Sequence, residues 1–337
     1  MLLVKFAVLT SVEMRHRYVA NALRRALPVV AVGYERTGYS PAATASDADL
    51  TEDERRIVRE HYEDRARQEE RSFGQDAAFI EHGSSAGSAG VAVACAAGAI
   101  PADSGAVKVS AAATVSAAKA GTAAEIGPVG SDCAKETEVS RGSGVADAGC
   151  SVRPIAPGKL NSADTLRFLQ EAGVDALLVY GTNLIKPPLL DAFAGRIINL
   201  HLGLSPYYRG TATNFYPLLN DEPEYIGATV HLIDAGIDSG PILHHARPVI
   251  AAEDGPHTIG CKAILAGLEK MILAAHELSE GRLAPVPQWS VPNPRLYLRR
   301  DFHPRQVVRL HEMLADGLIP RYVARAAEVA SRVRLVE

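Results

Sequence analysis

Three polar residues that could catalyse acyl transfer lie within residues 196–241. An apolar run carries Asn199 and His201 at alternate positions, and side chains at alternate positions of an extended strand share one face. A second β-rich run, residues 226–233, leads into a glycine-rich turn that contains Asp238, and such a turn can return this carboxylate to the same place. An amide, an imidazole and a carboxylate together supply an oxyanion donor, a proton-transfer group and a counter-ion, which indicates an acyl-transfer site.

The sequence of this stretch resembles that of the 10-formyltetrahydrofolate-dependent formyltransferases, a group that includes the glycinamide ribonucleotide, methionyl-tRNA and sugar-amine formyltransferases. The resemblance rests on the Asn-x-His pair of Asn199 and His201, on a Ser-Pro-x-Tyr-Arg-Gly loop at residues 205–210, and on an Asp-x-x-Ile-Asp-x-Gly-Pro turn at residues 234–241. It covers residues 175–272. The resemblance implies a reaction in which 10-formyltetrahydrofolate donates a formyl group to an amine.

The resemblance also implies which residues take part. Asn199, His201 and Asp238 would be catalytic, and Asp234 would be the structural carboxylate of its turn. The residues implied for binding the folate co-substrate are Tyr180, Gly181, Thr182, Asn183, Leu184, Ile185, Ile233 and Asp234.

Four residues are candidates for binding the acceptor: Arg15, Arg17, Tyr208 and Arg209. Arg15 and Arg17 are suited to an anionic acceptor such as a nucleotide diphosphate, but a solvated basic helix start is the favoured explanation, because charge clusters usually face water. Arg209 is suited either to an acceptor phosphate or to an ion pair with Asp234, and the sequence does not choose.

A metal site is the alternative use of the histidines near this turn. Histidines and carboxylates together can bind zinc, and four histidines lie close to Asp234 and Asp238 in the sequence, namely His231, His244, His245 and His257. None of them shows the i, i+4 spacing of a helical metal site, and the resembling family uses no metal for this chemistry. We therefore expect no metal.

The elements around the site follow an α/β pattern. Residues 3–9 predict a strand, residues 14–27 a helix and residues 29–34 a second strand, which is how a doubly wound, mostly parallel Rossmann-like sheet begins. Residues 176–180 form a continuous apolar run typical of a buried parallel strand, and it ends at Gly181, on the rim where such sheets bind ligands. Further helices are predicted over residues 51–73, 163–172, 211–219, 259–278, 306–314 and 319–333.

Composition limits the class of protein. The chain has 337 residues, 47% of them hydrophobic, which is enough for a sizeable core. Its net charge of −4 and pI near 6.3 give no chain-wide basic footprint, so nucleic acid is not expected as a partner. The first ten residues do not form a signal peptide, no apolar run is long enough for a membrane, and four cysteines lack a metal or disulfide spacing. These observations predict a cytoplasmic protein.

The chain divides into four segments by composition. Residues 1–82 form an N-terminal α/β half, residues 83–157 an insertion rich in Ala, Gly and Ser, residues 158–282 the catalytic half, and residues 283–337 a small C-terminal extension. The insertion has too little apolar bulk to build a core, and no function is assigned to it.

The sequence thus favours an enzyme that formylates a primary amine, with a nucleotide-linked amino sugar as acceptor. Residues 10–18 lack the glycine-rich phosphate turn of the purine enzymes, and the C-terminal extension is smaller than the barrel of the tRNA enzymes. The alternatives are a methionyl-tRNA formyltransferase-like enzyme, a hydrolase that releases formate from the same folate, and a folate-binding module with a dead site. A nicotinamide enzyme is disfavoured because no G-x-G-x-x-G follows the first strand. A homodimer is compatible with the sequence.

Overall fold

The first strand, helix and second strand form where the sequence predicts them. The computed structural model describes residues 3–36, 49–80 and 149–337, all within one compact unit. The fold opens with β1 (Phe6–Thr10), α1 (Met14–Ala26) and β2 (Val29–Glu35). Strand β1 is buried along its whole length and pairs in parallel with β2, as a central strand covered on both faces should.

The main sheet has seven strands. The other strands are β3 (Ser151–Ile155), β4 (Ala176–Tyr180), β5 (Ile197–His201), β6 (Tyr208–Gly210), β7 (Ala228–Leu232), β8 (Ile242–Ala246) and β9 (Arg295–Tyr297). The order in the main sheet is β3-β2-β1-β4-β5-β7-β8, and β6 pairs with β9 in a separate two-stranded sheet. The five neighbouring strands β3, β2, β1, β4 and β5 pair in parallel. Strand β7 is antiparallel to both of its neighbours, β5 and β8. The predicted doubly wound, mostly parallel fold class is confirmed.

Two strands correct the sequence analysis. Strand β3 lies inside residues 83–157, which we assigned to the insertion, yet it pairs with β2 at the sheet edge. Residues 83–148 of that segment lie outside the described residues. Strand β8 was not predicted at all, because its two adjacent histidines, His244 and His245, interrupt the apolar pattern. Both are buried all the same.

Among the described residues, seven further α-helices carry the rest of the fold. They are α2 (Glu52–Phe73), α3 (Ala163–Glu171), α4 (Leu189–Ala192), α5 (Tyr216–Leu219), α6 (Pro256–Ser279), α7 (Arg305–Ala315) and α8 (Leu318–Ala330). The helix predicted over residues 211–219 is wrong in its first half, since only α5 forms. The backbone of Ala212 has a φ of 55°, a left-handed conformation that an α-helix does not accept.

The two faces of the sheet pack into separate hydrophobic layers. On one face Ile198 and Leu200 of β5 join a core with residues of α1 and α6. Helix α6 approaches β5 so closely that a Cβ at Gly267 would lie 2.6 Å from Leu200 Cδ1. On the opposite face Ile197 joins the core that contains Phe168 of α3 and residues of α4. Alternation along β5 therefore leaves positions 199 and 201 on the second face.

Helix α2 has a buried stripe as well as a charged, exposed face. It begins with a capping box between Thr51 and Glu54, which satisfies two backbone donors. Its buried residues include Val58, His61 and Phe73, and it packs against α6 and α7. The charged face hid this buried stripe in the sequence.

A cluster of three histidines lies where α2, α6 and α7 meet. The ring nitrogens His61 Nδ1 and His311 Nε2 are 3.2 Å apart, and the ring centroids of His61 and His257 are 4.3 Å apart. Burial and the neighbouring histidines lower the pKa of His61 to about 3, and burial lowers the pKa of His257 to about 4.

This cluster predicts acid sensitivity of the fold. Since the folded pKa values lie below the ordinary value near 6.5, the unfolded chain binds more protons as the pH falls below 7, and stability declines with it. Between pH 7 and 5 the substitution His61→Asn should remove about 1–2 kcal/mol of this decline. Urea unfolding at both pH values measures it, and equal declines in both proteins would contradict the prediction.

Among the described residues no helix has the length and apolarity needed to cross a membrane. Cys150 and Cys261 are buried and free. The cytoplasmic location, the homodimer and the division into four segments stay predictions. The first and third segments share one sheet, because β1 lies between β2 and β4.

Candidate active site

Asn199 and His201 project from β5 on the face where the hydrophobic layer ends at Ile197. Beyond Ile197, this part of the sheet is covered by the turn between β7 and β8. That turn begins beside Ile197, whose carbonyl accepts a hydrogen bond from the Ile233 amide at 3.0 Å. It then folds back over the face of β5 and β7 and carries Asp238 above His201. The three predicted catalytic side chains are thus brought together.

Asp238 is held in place through its main chain and its carboxylate. Its backbone has a φ of 47°, a left-handed conformation that Asp and Asn tolerate better than most residues. Gln288 Nε2 donates to the Asp238 carbonyl at 2.7 Å and to the Gly240 carbonyl at 2.9 Å. The Gly210 amide donates to Asp238 Oδ2 at 2.9 Å. Strand β6 therefore holds the carboxylate oxygen that also lies nearest to His201.

His201 faces two acceptors. Its Nε2 donates to the Tyr208 carbonyl at 3.0 Å, and its Nδ1 lies 3.4 Å from Asp238 Oδ2. The neutral ring can donate to only one of them, whereas the imidazolium donates to both. Burial lowers the pKa of His201 below its ordinary value, although Asp238 and the Tyr208 carbonyl act in the opposite direction. The resting ring is therefore neutral with an environment prepared for the cation.

Asp238 stays ionised. Burial raises the pKa of its carboxyl, but the attraction between the carboxylate and the protonated forms of His201 and His231, together with the Gly210 amide, outweighs burial and holds the pKa well below its usual range. Hydrogen bonds to the charged form have this effect in general. A permanent carboxylate next to a buried neutral imidazole can accept a proton or stabilise one on the ring.

His231 is a fourth member of the site that the sequence analysis considered only as a metal ligand. It lies opposite Asn199 in the antiparallel register of β5 and β7. Its Nδ1 donates to the Leu232 carbonyl at 2.9 Å, so in the neutral ring Nε2 accepts from Asn199 Nδ2 at 3.0 Å. The same Nε2 lies 3.6 Å from Asp238 Oδ1. Strand alternation in residues 226–233 could have revealed it.

The turn after β4 lies on the rim of the sheet, beside the end of β1. Thr10 Oγ1 donates to the Tyr180 carbonyl at 2.7 Å. Tyr180 and Ile185 are buried, and the predicted folate-binding residues between them reach the surface to different extents: Gly181, Asn183 and Leu184 are exposed and Thr182 is half-buried. This segment can present main-chain groups and an apolar side chain to a ligand.

Glu35, at the end of β2, binds the turn that follows β4 through Asn183. It is fully buried, and its carboxylate accepts from the Asn183 amide at 2.9 Å and from Asn183 Nδ2 at 2.8 Å. No sequence pattern indicates this contact, because the two residues are 148 positions apart. Two hydrogen bonds to one carboxylate order the turn before any ligand arrives.

Glu35→Gln should therefore weaken folate binding more than turnover, if the turn binds the co-substrate. The amide retains one acceptor and loses the other, and a hydrogen bond to a charged group contributes about 1.5–3 kcal/mol. We expect the KM for 10-formyltetrahydrofolate to rise about 5-fold or more with kcat changed less than about 2-fold. The control is Asp175→Asn, at the opposite end of β4, where the carboxylate accepts from the Lys5 amide. An equal loss of kcat would contradict the assignment.

The remaining predicted residues have varied surroundings. Asp234 Oδ1 accepts from the Gly236 amide at 2.9 Å and from Ser239 Oγ at 2.8 Å, which is a local turn contact. Ile233 packs at the edge of the hydrophobic layer below the site. Asp234 thus shapes the turn that carries Asp238.

Of the four acceptor candidates, three are engaged within the protein. Arg15 forms an ion pair with Glu69 at 2.8 Å, and the Arg17 guanidinium lies 4.6 Å from the ring centroid of Phe79. The Tyr208 side chain is buried and its hydroxyl bonds Glu222, so what Tyr208 contributes to the site is its carbonyl.

Arg209 is not paired in this way. Its Nε is buried and, like that of Arg17, has no hydrogen-bond partner among the described residues. Asp234, the partner within the protein that the sequence offers, therefore does not accept a hydrogen bond from this nitrogen.

The other histidines have separate partners. His244 Nε2 lies 2.8 Å from Glu277 Oε2, and His245 Nε2 donates to the Ser205 carbonyl at 2.8 Å. In the part of the chain that the structure describes, no group of three or more His, Cys, Asp or Glu side chains is arranged to hold a metal ion.

The fold and this cluster define an α/β protein with a candidate acyl-transfer site on one face of its sheet. The model of the formyl transferase family matches residues 87–274, which is more than half of the chain. The chain therefore belongs to the formyl transferase family, as the resemblance of its motifs indicated.

The curated relatives are methionyl-tRNA formyltransferases. The protein of that name from Microcystis aeruginosa is 33% identical over 129 residues, which cover 38% of this chain and 39% of the relative. The one from Thermodesulfovibrio yellowstonii is 31% identical over 140 residues, 41% of this chain and 45% of the relative. The matches thus span about two fifths of the length of these relatives.

Solved structures give more distant similarities. The formyltransferase PseJ from Anoxybacillus kamchatkensis, in complex with UDP-4,6-dideoxy-4-formamido-L-AltNAc and tetrahydrofolate, is 21% identical with a TM-score of 0.38, covering 46% of this chain and 86% of that one. Phosphoribosylglycinamide formyltransferase from Anaplasma phagocytophilum is 12% identical with a TM-score of 0.45, covering 88% and 99%.

Proposed function

We propose that this protein transfers a formyl group from 10-formyltetrahydrofolate to the nitrogen of a primary amine. One observation carries the proposal: Asp238 lies within ion-pair distance of both His201 and His231, and His231 contacts the Asn199 amide. Together with membership of the family, this cluster supports formyl transfer better than any other chemistry of the described residues.

In the first step the amine nitrogen attacks the formyl carbon, and the carbonyl electrons move onto oxygen. The Asn199 amide has two N–H groups, of which one donates to His231. The second is available to the developing oxyanion, and such a donor acts most strongly where charge appears during the reaction. Once it has taken up a proton from the attacking nitrogen, His201 as imidazolium adds a positive charge next to the same intermediate.

In the second step the attacking nitrogen loses a proton and the bond from the formyl carbon to N10 of the folate breaks. Asp238 accepts the proton directly or through water. N10 takes up one proton as it leaves, so the products are the formamide and tetrahydrofolate. His201, which contacts Asp238, is suited to carry the proton between the two positions.

The folate is proposed to bind along the turn after β4. Its pterin would contact the main chain of residues 180–185, near Ile233 and Asp234. The exposed Leu184 side chain, of which half is accessible, supports an apolar contact there.

The acceptor is proposed to be an amino sugar carried on a nucleotide. A nucleic acid would need the arginines of residues 283–337, and six of them form ion pairs within the chain: Arg295 with Glu222, Arg300 with Asp301, Arg305 with Glu54, Arg309 with Glu312, Arg321 with Asp316, and Arg332 with Glu328. Such pairing reduces the positive potential that a phosphate backbone requires.

Methionyl-tRNA is the second candidate acceptor. The relatives that support it are named methionyl-tRNA formyltransferases, so our expectation that nucleic acid is not a partner is not carried forward. The tRNA and the sugar proposals share the same formyl-transfer chemistry and differ only in what presents the amine.

Incubation of the protein with 10-formyltetrahydrofolate and a panel of acceptors tests these proposals. The panel contains nucleotide-linked amino sugars and methionyl-tRNA, and the readouts are tetrahydrofolate release and the mass of each acceptor. Release that depends on an acceptor gaining a formyl group supports the proposal and identifies the acceptor class. Acceptor-independent release with free formate supports a hydrolase, and folate binding without release makes the protein a binding module.

A further inference from the structure

Residues 334–336 lie against the loop that connects β5 to β6. The His245 amide of β8 donates to the Val336 carbonyl at 2.7 Å. In return the Val336 amide donates to the side chain of His245, at Nδ1, over 2.9 Å. Two hydrogen bonds thus join this short segment, which we call the strap, to one residue of the edge strand.

These contacts determine the tautomer of His245. A backbone N–H can only donate, so Nδ1 must hold a lone pair and the ring proton lies on Nε2. That nitrogen donates to the Ser205 carbonyl at 2.8 Å. Burial lowers the pKa of His245 to about 4, so the ring keeps this neutral form at neutral pH. His245 therefore connects the strap to the loop, since its ring accepts a hydrogen bond from Val336 and donates one to Ser205.

The loop that connects β5 to β6 ends at Tyr208, whose carbonyl is the hydrogen-bond acceptor of His201. Ser205 is held on its other side, where its amide donates to Thr229 Oγ1 at 2.9 Å. The Tyr208 amide donates to the Leu204 carbonyl at 2.9 Å, which makes residues 204–208 one tight turn. The Tyr208 carbonyl accepts from His201 Nε2. The position of that carbonyl depends on how Ser205 is held.

A second contact joins the strap to the same loop. The Arg334 amide donates to the Tyr207 hydroxyl at 3.0 Å, and the Arg334 guanidinium lies 4.2 Å from the ring centroid of Trp289. The strap therefore contacts the loop on both sides of residue 206, through His245 and through Tyr207.

We infer that the strap positions the catalytic histidine: it holds the loop of residues 204–208 through His245, and the loop holds His201 through the Tyr208 carbonyl. His245 and Val336 touch no reacting group and are positioning residues. This inference rests on the proposed function for its kinetic readout, but the contact itself can be measured without any substrate.

Val336→Pro tests the strap at a single atom. Proline lacks the N–H that His245 accepts and keeps the carbonyl that bonds the His245 amide. The matched control is Val336→Ala, which shortens the side chain and keeps the N–H. We expect kcat for formyl transfer to fall about 10-fold in Val336→Pro with the KM for folate within about 2-fold, and to change less than 2-fold in Val336→Ala. Equal kcat in both variants overturns the inference.

Substitutions of His245 supply the rescue experiment. Gln can donate to the Ser205 carbonyl and accept from the Val336 amide, whereas Leu can do neither. We expect His245→Gln to retain most of kcat and to keep the thermal stability of the wild-type protein. We expect His245→Leu to lose at least as much kcat as Val336→Pro does. If Gln and Leu variants that remain folded have the same kcat, the relay is wrong.

The ring signals of His201 separate this inference from the proposed function. ¹⁵N NMR of the protein without substrate reports the tautomer and pKa of His201, and both should shift in Val336→Pro but not in Val336→Ala. A wild-type protein that transfers no formyl group would refute the proposed function while this shift still supports the strap. Normal transfer with no shift in either variant would refute the strap alone.

Discussion

Asp238→Asn is expected to lower kcat for formyl transfer by about 10³–10⁴-fold. The amide preserves the shape of the side chain, and its oxygen can still accept from the Gly210 amide. It removes both the negative charge that favours the His201 imidazolium and the group that accepts the proton of the attacking amine. Because Asn tolerates the left-handed backbone of this position, the protein should fold and bind folate normally.

Asp234→Asn is the matched control, since it makes the same chemical change in the same turn. Asp234 Oδ1 accepts hydrogen bonds from the Gly236 amide and Ser239 Oγ of its own turn, so kcat should fall less than about 10-fold. Stopped-flow measurement of tetrahydrofolate formation, with folate binding by calorimetry, gives both quantities. Similar losses in the two variants would mean that Asp238 shapes the turn and has no part in proton transfer.

Asn199→Ala should reduce kcat by about 10²–10³-fold and leave folate affinity nearly unchanged, as the loss of one oxyanion donor does. The wild-type amide also donates to His231, so a structural explanation has to be excluded. If the amide only holds His231, then His231→Asn and Asn199→Ala should each have the same effect, and the double variant should be no worse than either.

A double variant that is clearly worse than each single variant supports the oxyanion role. An equal loss of affinity and turnover in Asn199→Ala would instead identify a structural amide. The assay is single-turnover formyl transfer at saturating folate, which removes differences in binding from the comparison.

Much of the site could be predicted from the sequence because it depends on local periodicity. Alternation along residues 197–202 predicts the shared face of Asn199 and His201, and it holds because β5 pairs with β4 on one side and with β7 on the other. The carboxylate of Asp238 was predicted from its motif. Its path was not, since a turn that leaves β7 near Ile197 and folds back over the sheet face depends on contacts with β6 and Gln288, which are distant in sequence.

The misses have physical reasons of the same kind. Strand β8 contains two buried histidines that reduce its hydrophobicity, and each is satisfied by a partner far along the chain, Glu277 for His244 and Ser205 for His245. The contact between Glu35 and Asn183 crosses the sheet over β1. Periodicity within one segment carries no information on such pairings.

The place of β1 between β2 and β4 determines what a broken chain would retain. A cut in the segment 81–148 leaves a piece, residues 149–337, that includes Asn199, His201 and Asp238. In that piece the backbone of β4 loses its β1 neighbour, and an unpaired edge of apolar residues is a template for aggregation. The same cut also removes Glu35 from the turn that it orders. The two pieces would be useful only as partners, so fragment complementation after co-expression should recover activity that neither piece has alone.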